Sequence, residues 1–279
     1  MKLHRIPAAA AVALVLSVTA TACMGDDGQE SGSKSHSGET IRIGIKYDQP
    51  GLGMKEPSGE FSGFDVDVAT YVANELGYDP ELIEFVETKS ADRENALSRG
   101  DVNFIVATYS ITEERKEKVD FAGPYLLAHQ DLLVKAGSDI DEGSDLDGGK
   151  LCSVAGSTSA QNVKKNIAPN TRLKEYSSYS ECLAGLQNGA VDAVTTDDSI
   201  LAGFAAQKQY EDQFELVGLR MSNENYGIGV KKGDTATLEL VNKALQKMVR
   251  DGSWGKAVKA NFGLIYRYEP APRIGVVKE

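Results

Sequence analysis

Twice along this chain, strand-like and helix-like runs alternate, and both passages carry the same short signature. Leu97-x-x-Gly100-x-Val102 runs on eleven residues to Thr108, and Leu186-x-x-Gly189-x-Val191 runs on eleven to Asp197. In the first passage, Ile41, Ile43 and Ile45 alternate as in a half-buried strand, and Val68, Tyr71, Val72, Glu75 and Leu76 recur at helical spacing before Gly77. "LIEFVET", "SADRENALSRG" and "DVNFIVAT" continue as strand, helix and strand. In the second, "KLCSVAG", "STSAQNVKKNIA", "RLKEYSS", "YSECLAGLQNG" and "AVDAVTTD" repeat that order. Strands alternating with helices predict an α/β fold with mostly parallel sheets. Thr108 and Asp197 then both fall at the carboxyl end of a strand, where open α/β sheets bind ligands. Two such lobes with facing strand ends enclose a cleft.

The last third adds a strand at "YGIGV" and a helix with Leu238, Val241, Leu245, Met248 and Val249 as its apolar stripe, Asp234 as cap and Gly252 as stop. The expected division is lobe 1 at residues 41–128 plus 226–266, lobe 2 at 129–225, and a C-terminal tail at 267–279. The crossings at "AHQDLL" and "NENYG" are the expected hinge.

The first residues read differently. "MKLHRIPAAAAVALVLSVTATAC" has a basic start, an apolar core and small residues before Cys23. This is an export signal over residues 1–22, with Cys23 placed as in a lipoprotein processing site. Residues 23–40 are polar and Gly/Ser-rich, as in a flexible tether. With Cys23 carrying lipid, Cys152 and Cys182 remain as an even pair in an oxidising compartment, which favours a disulfide; two separate buried thiols are the alternative. The three His are scattered and no Cys/His spacing suits zinc, so neither metal nor cofactor is expected. A net charge of −11 argues against nucleic acid as a partner.

"ATYSITEER" poses a local puzzle. Glu113 and Glu114 suit the first turn of a helix, but Arg115 opposes its dipole. Such local breaks are expected at functional sites. A surface pair with Glu113 or Glu117 is the other use open to Arg115.

Around "GFDVDVA", "ATYSITEERKEKVDFAGPYL", "GST" and "YGIGV", the chain resembles the family 3 solute-binding proteins of ABC importers for polar amino acids. The resemblance runs from Ile41 to Gly263, and the spacing from Gly59 to Arg115 resembles the glutamate-binding members. It implies a two-lobed periplasmic-binding-protein fold of type II. It also implies that Arg115, with Ser110 and Thr108, holds the ligand α-carboxylate. A guanidinium suits that task because it offers two parallel donors to a planar carboxylate. Ser157 and Thr158 would reach the same carboxylate from the second lobe, where a strand end opens a helix, and Asp197 would accept the α-ammonium. Helix capping is the alternative use of Thr158 and Asp197.

For the ligand side chain, Lys46 stands where the family's binders of basic amino acids place an acid. Gln49 and Ser90 replace the usual aromatic residues, and Arg93 aligns with an Arg of acidic-amino-acid binders. Two cations there call for a second carboxylate on the ligand; a solvated rim is the alternative place for Lys46. The expectation is a monomeric lipoprotein on the outer face of the cell membrane that binds L-glutamate and hands it to importer permease subunits. A small-acid dehydratase and a sensor on the same scaffold are the competing readings. The first needs a general acid or base in the cleft, and no His lies near the motifs.

Overall fold

The computed structural model describes residues 38–278. The expected export signal, nearly all of the expected tether and the expected lipid site at Cys23 lie outside the described residues.

The chain opens with β1 (Ile41–Ile45), the short strands β2 (Asp48–Gln49), β3 (Gly53–Lys55) and β4 (Phe61–Ser62), and α1 (Phe64–Glu75). Then come β5 (Ile83–Glu87), α2 (Arg93–Arg99), β6 (Phe104–Ile105) and the single turn α3 (Glu113–Lys116). β7 (Val119–Lys135) leads to β8 (Lys150–Val154), α4 (Ser159–Asn166), β9 (Arg172–Tyr176), α5 (Tyr179–Gln187), β10 (Ala193–Asp197) and α6 (Asp198–Ala205). The chain finishes with β11 (Phe214–Leu216), β12 (Asn223–Lys231), α7 (Thr235–Arg250) and α8 (Ser253–Phe262).

The main strands run in the order β5-β1-β6-β12-β7-β10-β8-β9, with β11 also on β7. Parallel pairing is confined to the flanks: β1 lies parallel to β5 and β6, and β8 to β9 and β10. The centre is antiparallel, so the sheet is mixed where the sequence suggested mostly parallel strands. The reason is β7, a seventeen-residue strand. Its first part pairs antiparallel with β12 from Val119 to His129, and its second with β10 from Gln130 to Val134. Partner exchange between His129 and Gln130 divides the sheet into two halves. Pro124, which has no N–H, sits inside β7, and the β12 register shifts opposite, between Tyr226 and Ile228.

α1, α7 and α8 cover the first half. Val241, Leu245 and Met248 of α7 are buried, Leu238 is half-buried, and Val249 faces outward, one position off the expected stripe. Each fully buried aliphatic side chain contributes about 1.5–3 kcal/mol. Asp234 caps α7 by accepting from Thr237 N. Gly252, left-handed at φ 82°, ends α7 and starts α8, a helix the sequence reading did not separate. Trp254 of α8 packs edge-on against Phe64 and donates to the Tyr125 carbonyl at 2.7 Å. In the second half, a disulfide joins Cys152 of β8 to Cys182 of α5.

The tail packs on the body. Tyr266 is buried and donates to Asp198 Oδ1 at 2.9 Å. Glu269 accepts from Arg220 at 3.0 Å, with His129 Nε2 3.6 Å away. Gly275 N donates to the Gly123 carbonyl, and the Lys278 main chain exchanges two hydrogen bonds with Asn225. These contacts lie along the crossing of β7 and β12.

Candidate functional site

A small cavity of about 20 Å³ lies where the two halves meet. From the first half come Arg93, Thr108, Ser110 and Arg115; from the second, Ser157, Thr158 and Asp197. Every predicted site residue except Lys46 therefore lines one hollow, with Tyr179, Thr196 and Ile200 filling between them.

Arg115 is there because Thr112, extended at the start of α3, caps that single turn by accepting from Arg115 N at 3.2 Å. The guanidinium is thereby turned inward and is only 7% exposed. Nη1 donates to the Ser110 carbonyl at 2.8 Å, and Nη2 reaches across to the Gly156 carbonyl at 3.1 Å. A surface pair with Glu113 or Glu117 is not what forms: Glu113 pairs with Lys116, and the carboxylate nearest Arg115 Nε is Glu94, at 3.9 Å. Gly156 is left-handed at φ 79°, and a Cβ there would meet Ala91 Cα at 2.7 Å, so only glycine permits this close approach of the halves.

Thr108 is strained, at φ 47° for a β-branched residue. Such a conformation costs on the order of 1–3 kcal/mol and persists only where its surroundings enforce it. The enforcing group is Asp65 of α1, whose carboxylate accepts from Thr108 N at 2.9 Å and from Tyr125 OH at 2.8 Å. Burial raises the Asp65 pKa to about 6, although the Tyr125 and Thr108 bonds oppose the shift. Thr108 Oγ1 donates to Gln49 Oε1 at 3.1 Å, and Gln49 Nε2, fully buried, has no partner. Neither residue was picked out from sequence as a site residue. Asp65 reads as an ordinary first-turn acid in "GFDVDVA", and Gln49 only as a missing aromatic.

Asp197 starts α6 without making a cap hydrogen bond, and Thr158 likewise does not cap α4. The Asp197 carboxylate instead accepts from Tyr226 OH, which Ser199 also contacts at 3.0 Å. Burial, then the charge of Glu224, push its pKa well above the usual carboxylate range. A cation placed beside it reverses that shift. Asp198, one residue on, faces away and accepts from His129 N, Ser199 N and Tyr266 OH.

Arg93 is 2% exposed, donates from Nη1 to the Ala107 carbonyl at 3.0 Å, and keeps Nε without a partner. Burial, then the charge of Arg115, lower its pKa to about 10. Lys46 stands one layer back from the others. It is buried rather than on a solvated rim, yet it lines an adjoining crevice with Tyr47, Asp48 and Glu87 instead of the cavity itself. Its Nζ donates to Ser90 Oγ at 2.9 Å, and Ser90 lines the cavity. Burial first, and Arg93 second, lower the Lys46 pKa to about 7. Among the polar lining groups, the charges therefore comprise two guanidinium groups and one carboxylate, with an ammonium one side chain behind.

A larger and more open hollow lies beside the tail, between Asp131, Arg220, Tyr266 and Glu269. Its carboxylates are already engaged by main-chain donors, Tyr266 and Arg220. Among the described residues there is no His/Cys/Asp/Glu group able to hold a metal ion.

Residues 41–264 match the family model of bacterial extracellular solute-binding proteins, family 3. The chain is 44% identical over 268 residues to the glutamate-binding protein GluB of Corynebacterium efficiens, covering 93% of this chain and 91% of that one. It is 41% identical over 223 residues to the glutamine-binding protein GlnH of an ABC transporter of Bacillus subtilis, covering 79% and 80%. Among solved structures, an ancestral arginine-binding protein bound to glutamine superimposes with a TM-score of 0.75 at 38% identity, covering 82% of this chain and all of that one.

Proposed function

This chain belongs to the bacterial extracellular solute-binding proteins, family 3, and on that premise we propose that it captures L-glutamate outside the cytoplasm and delivers it to the permease of an ABC importer. The single observation that carries the ligand choice is the charge set of the cavity: Arg93 and Arg115 with Asp197, backed by Lys46 through Ser90. That set is the complement of a zwitterion with one extra carboxylate. Arg115, Ser110, Thr108, Ser157 and Thr158 take the α-carboxylate, Asp197 takes the α-ammonium, and Arg93 takes the side-chain carboxylate with Lys46 supporting it. A neutral or basic side chain would leave buried cations without a counter-charge, which costs several kcal/mol.

In this reading residues 41–128 with 226–266 form one lobe and residues 129–225 the other, and they close about the β7–β12 crossing. Closure excludes water and strengthens each ion pair. The protein works as a monomer, held to the outer face of the membrane by lipid on Cys23. The reading is capture without conversion.

Calorimetric titration with L-glutamate, L-aspartate, L-glutamine and L-arginine tests it. Glutamate is expected to bind with a micromolar or lower Kd, about −8 kcal/mol or better, and to be recovered unchanged after prolonged incubation. Tighter binding of glutamine or arginine would overturn the ligand assignment, and consumption of glutamate would overturn the non-enzymatic one.

A further inference from the structure

Between Thr108 and Ser110 lies Tyr109, a residue that no role above accounts for. Its side chain points away from the ligand cavity, yet both arginines rest on it. The Arg93 guanidinium carbon is 4.0 Å from the ring centroid and that of Arg115 is 5.1 Å. Two desolvated cations so close to each other repel, and the electron-rich ring face between or beneath them offsets part of that repulsion.

The ring is closely enclosed. It is fully buried, and Phe121 packs edge-on against it at 4.7 Å. On another side lies Gly229 of β12, where a Cβ would come within 2.9 Å of Tyr109 Cε1. The hydroxyl donates to Glu94 Oε1 at 2.7 Å, and that same oxygen is the one 3.9 Å from Arg115 Nε. One enclosed phenol thus ties together the group assigned to the α-carboxylate and the group assigned to the side-chain carboxylate.

We infer that Tyr109 is a spacer: its ring fixes the separation of the Arg93 and Arg115 guanidinium groups and thereby sets the length of dicarboxylate that the cavity accepts. This rests on the acidic-amino-acid reading of the site. L-Glutamate and L-aspartate carry the same charges and differ by one methylene between their carboxylates. Cations free to slide would meet either one. Cations held at a fixed separation satisfy one ligand and leave the other short of a charge-assisted hydrogen bond. Tyr109 is accordingly a positioning residue for selectivity and makes no ligand contact itself.

The test is the ratio of L-aspartate to L-glutamate dissociation constants in the full chain and in Tyr109→Phe, Tyr109→Leu and Tyr109→Met, each checked for a cooperative melting transition. Tyr109→Phe keeps the ring and is expected to hold the ratio within about twofold of the parent. Tyr109→Leu removes the ring and is expected to lower the ratio about tenfold. Tyr109→Met, with a flexible side chain that fills the same space, gives the same reading should the Leu variant not fold. A general weakening of both ligands with an unchanged ratio in the Leu or Met variant overturns the inference while leaving the proposed function standing. A parent protein that binds neither dicarboxylate overturns both.

Discussion

Arg115 shows how much a single residue can disclose. Opposed to the dipole of its own short helix, it is turned inward by the Thr112 cap and joins the Ser110 carbonyl to the Gly156 carbonyl across the cavity. If, as proposed, it serves the carboxylate common to all amino acids, Arg115→Ala should weaken every amino-acid ligand by about 2–5 kcal/mol; calorimetry showing intact glutamate affinity would contradict that role. Lys46 makes a different prediction, about pH. Its pKa of about 7 in the free protein lies below that of an ordinary lysine because burial disfavours the charged form. A ligand carboxylate nearby favours the charged form and raises the pKa, so binding takes up a proton once the pH exceeds 7. The ratio of glutamate to glutamine affinity should therefore fall by up to about tenfold per unit above pH 7. The raised pKa of Asp197 acts on the ammonium common to both ligands and cancels in that ratio. Titrations from pH 6 to 9 would decide this, and an equal decline for both ligands would remove Lys46 from side-chain recognition. The residues that could be read from sequence were those in motifs whose local chemistry was odd for its place. Asp65 and Gln49 were hidden because each acts on Thr108, far along the chain, and Tyr109 because no sequence period shows both arginines resting on its ring.

At the level of elements, strands and helices that bury one stripe were legible, since the period of their apolar residues follows from which face is covered. β7 was not. "VDFAGPYLLAHQDLLVK" is buried along almost its whole length, so no alternation survives, and Gly123 and Pro124 read as an interruption. The antiparallel centre of the sheet was lost with it. α8 was missed because Gly252 signals a stop, and the sequence does not say that the same left-handed residue opens a new helix. The Cys152–Cys182 bridge ties the strand feeding Ser157 and Thr158 to the helix that starts with Tyr179. Replacing both cysteines by serine should cost about 2–4 kcal/mol, seen as a lower melting temperature in the absence of ligand. An unchanged melting temperature would mean that the bridge adds nothing to β8 and α5.

For the whole molecule, the sequence supplied the doubled α/β plan but not the path of the final residues. "YRYEPAPRIGVVKE" has no periodicity, and much of what anchors it is main chain: Gly275 N on Gly123, and the Lys278 backbone on Asn225. Ending the chain after Gly263 should remove the buried Tyr266 ring and its bond to Asp198 together, a loss of at least about 2 kcal/mol. Urea unfolding with an unaltered midpoint would show that the tail is a passenger. Its docking also bears on how the protein can be handled. Lys278 is bracketed by Asn225 on β12, near where β7 changes partner, so a fluorophore attached at Lys278 would sit against that exchange of strands.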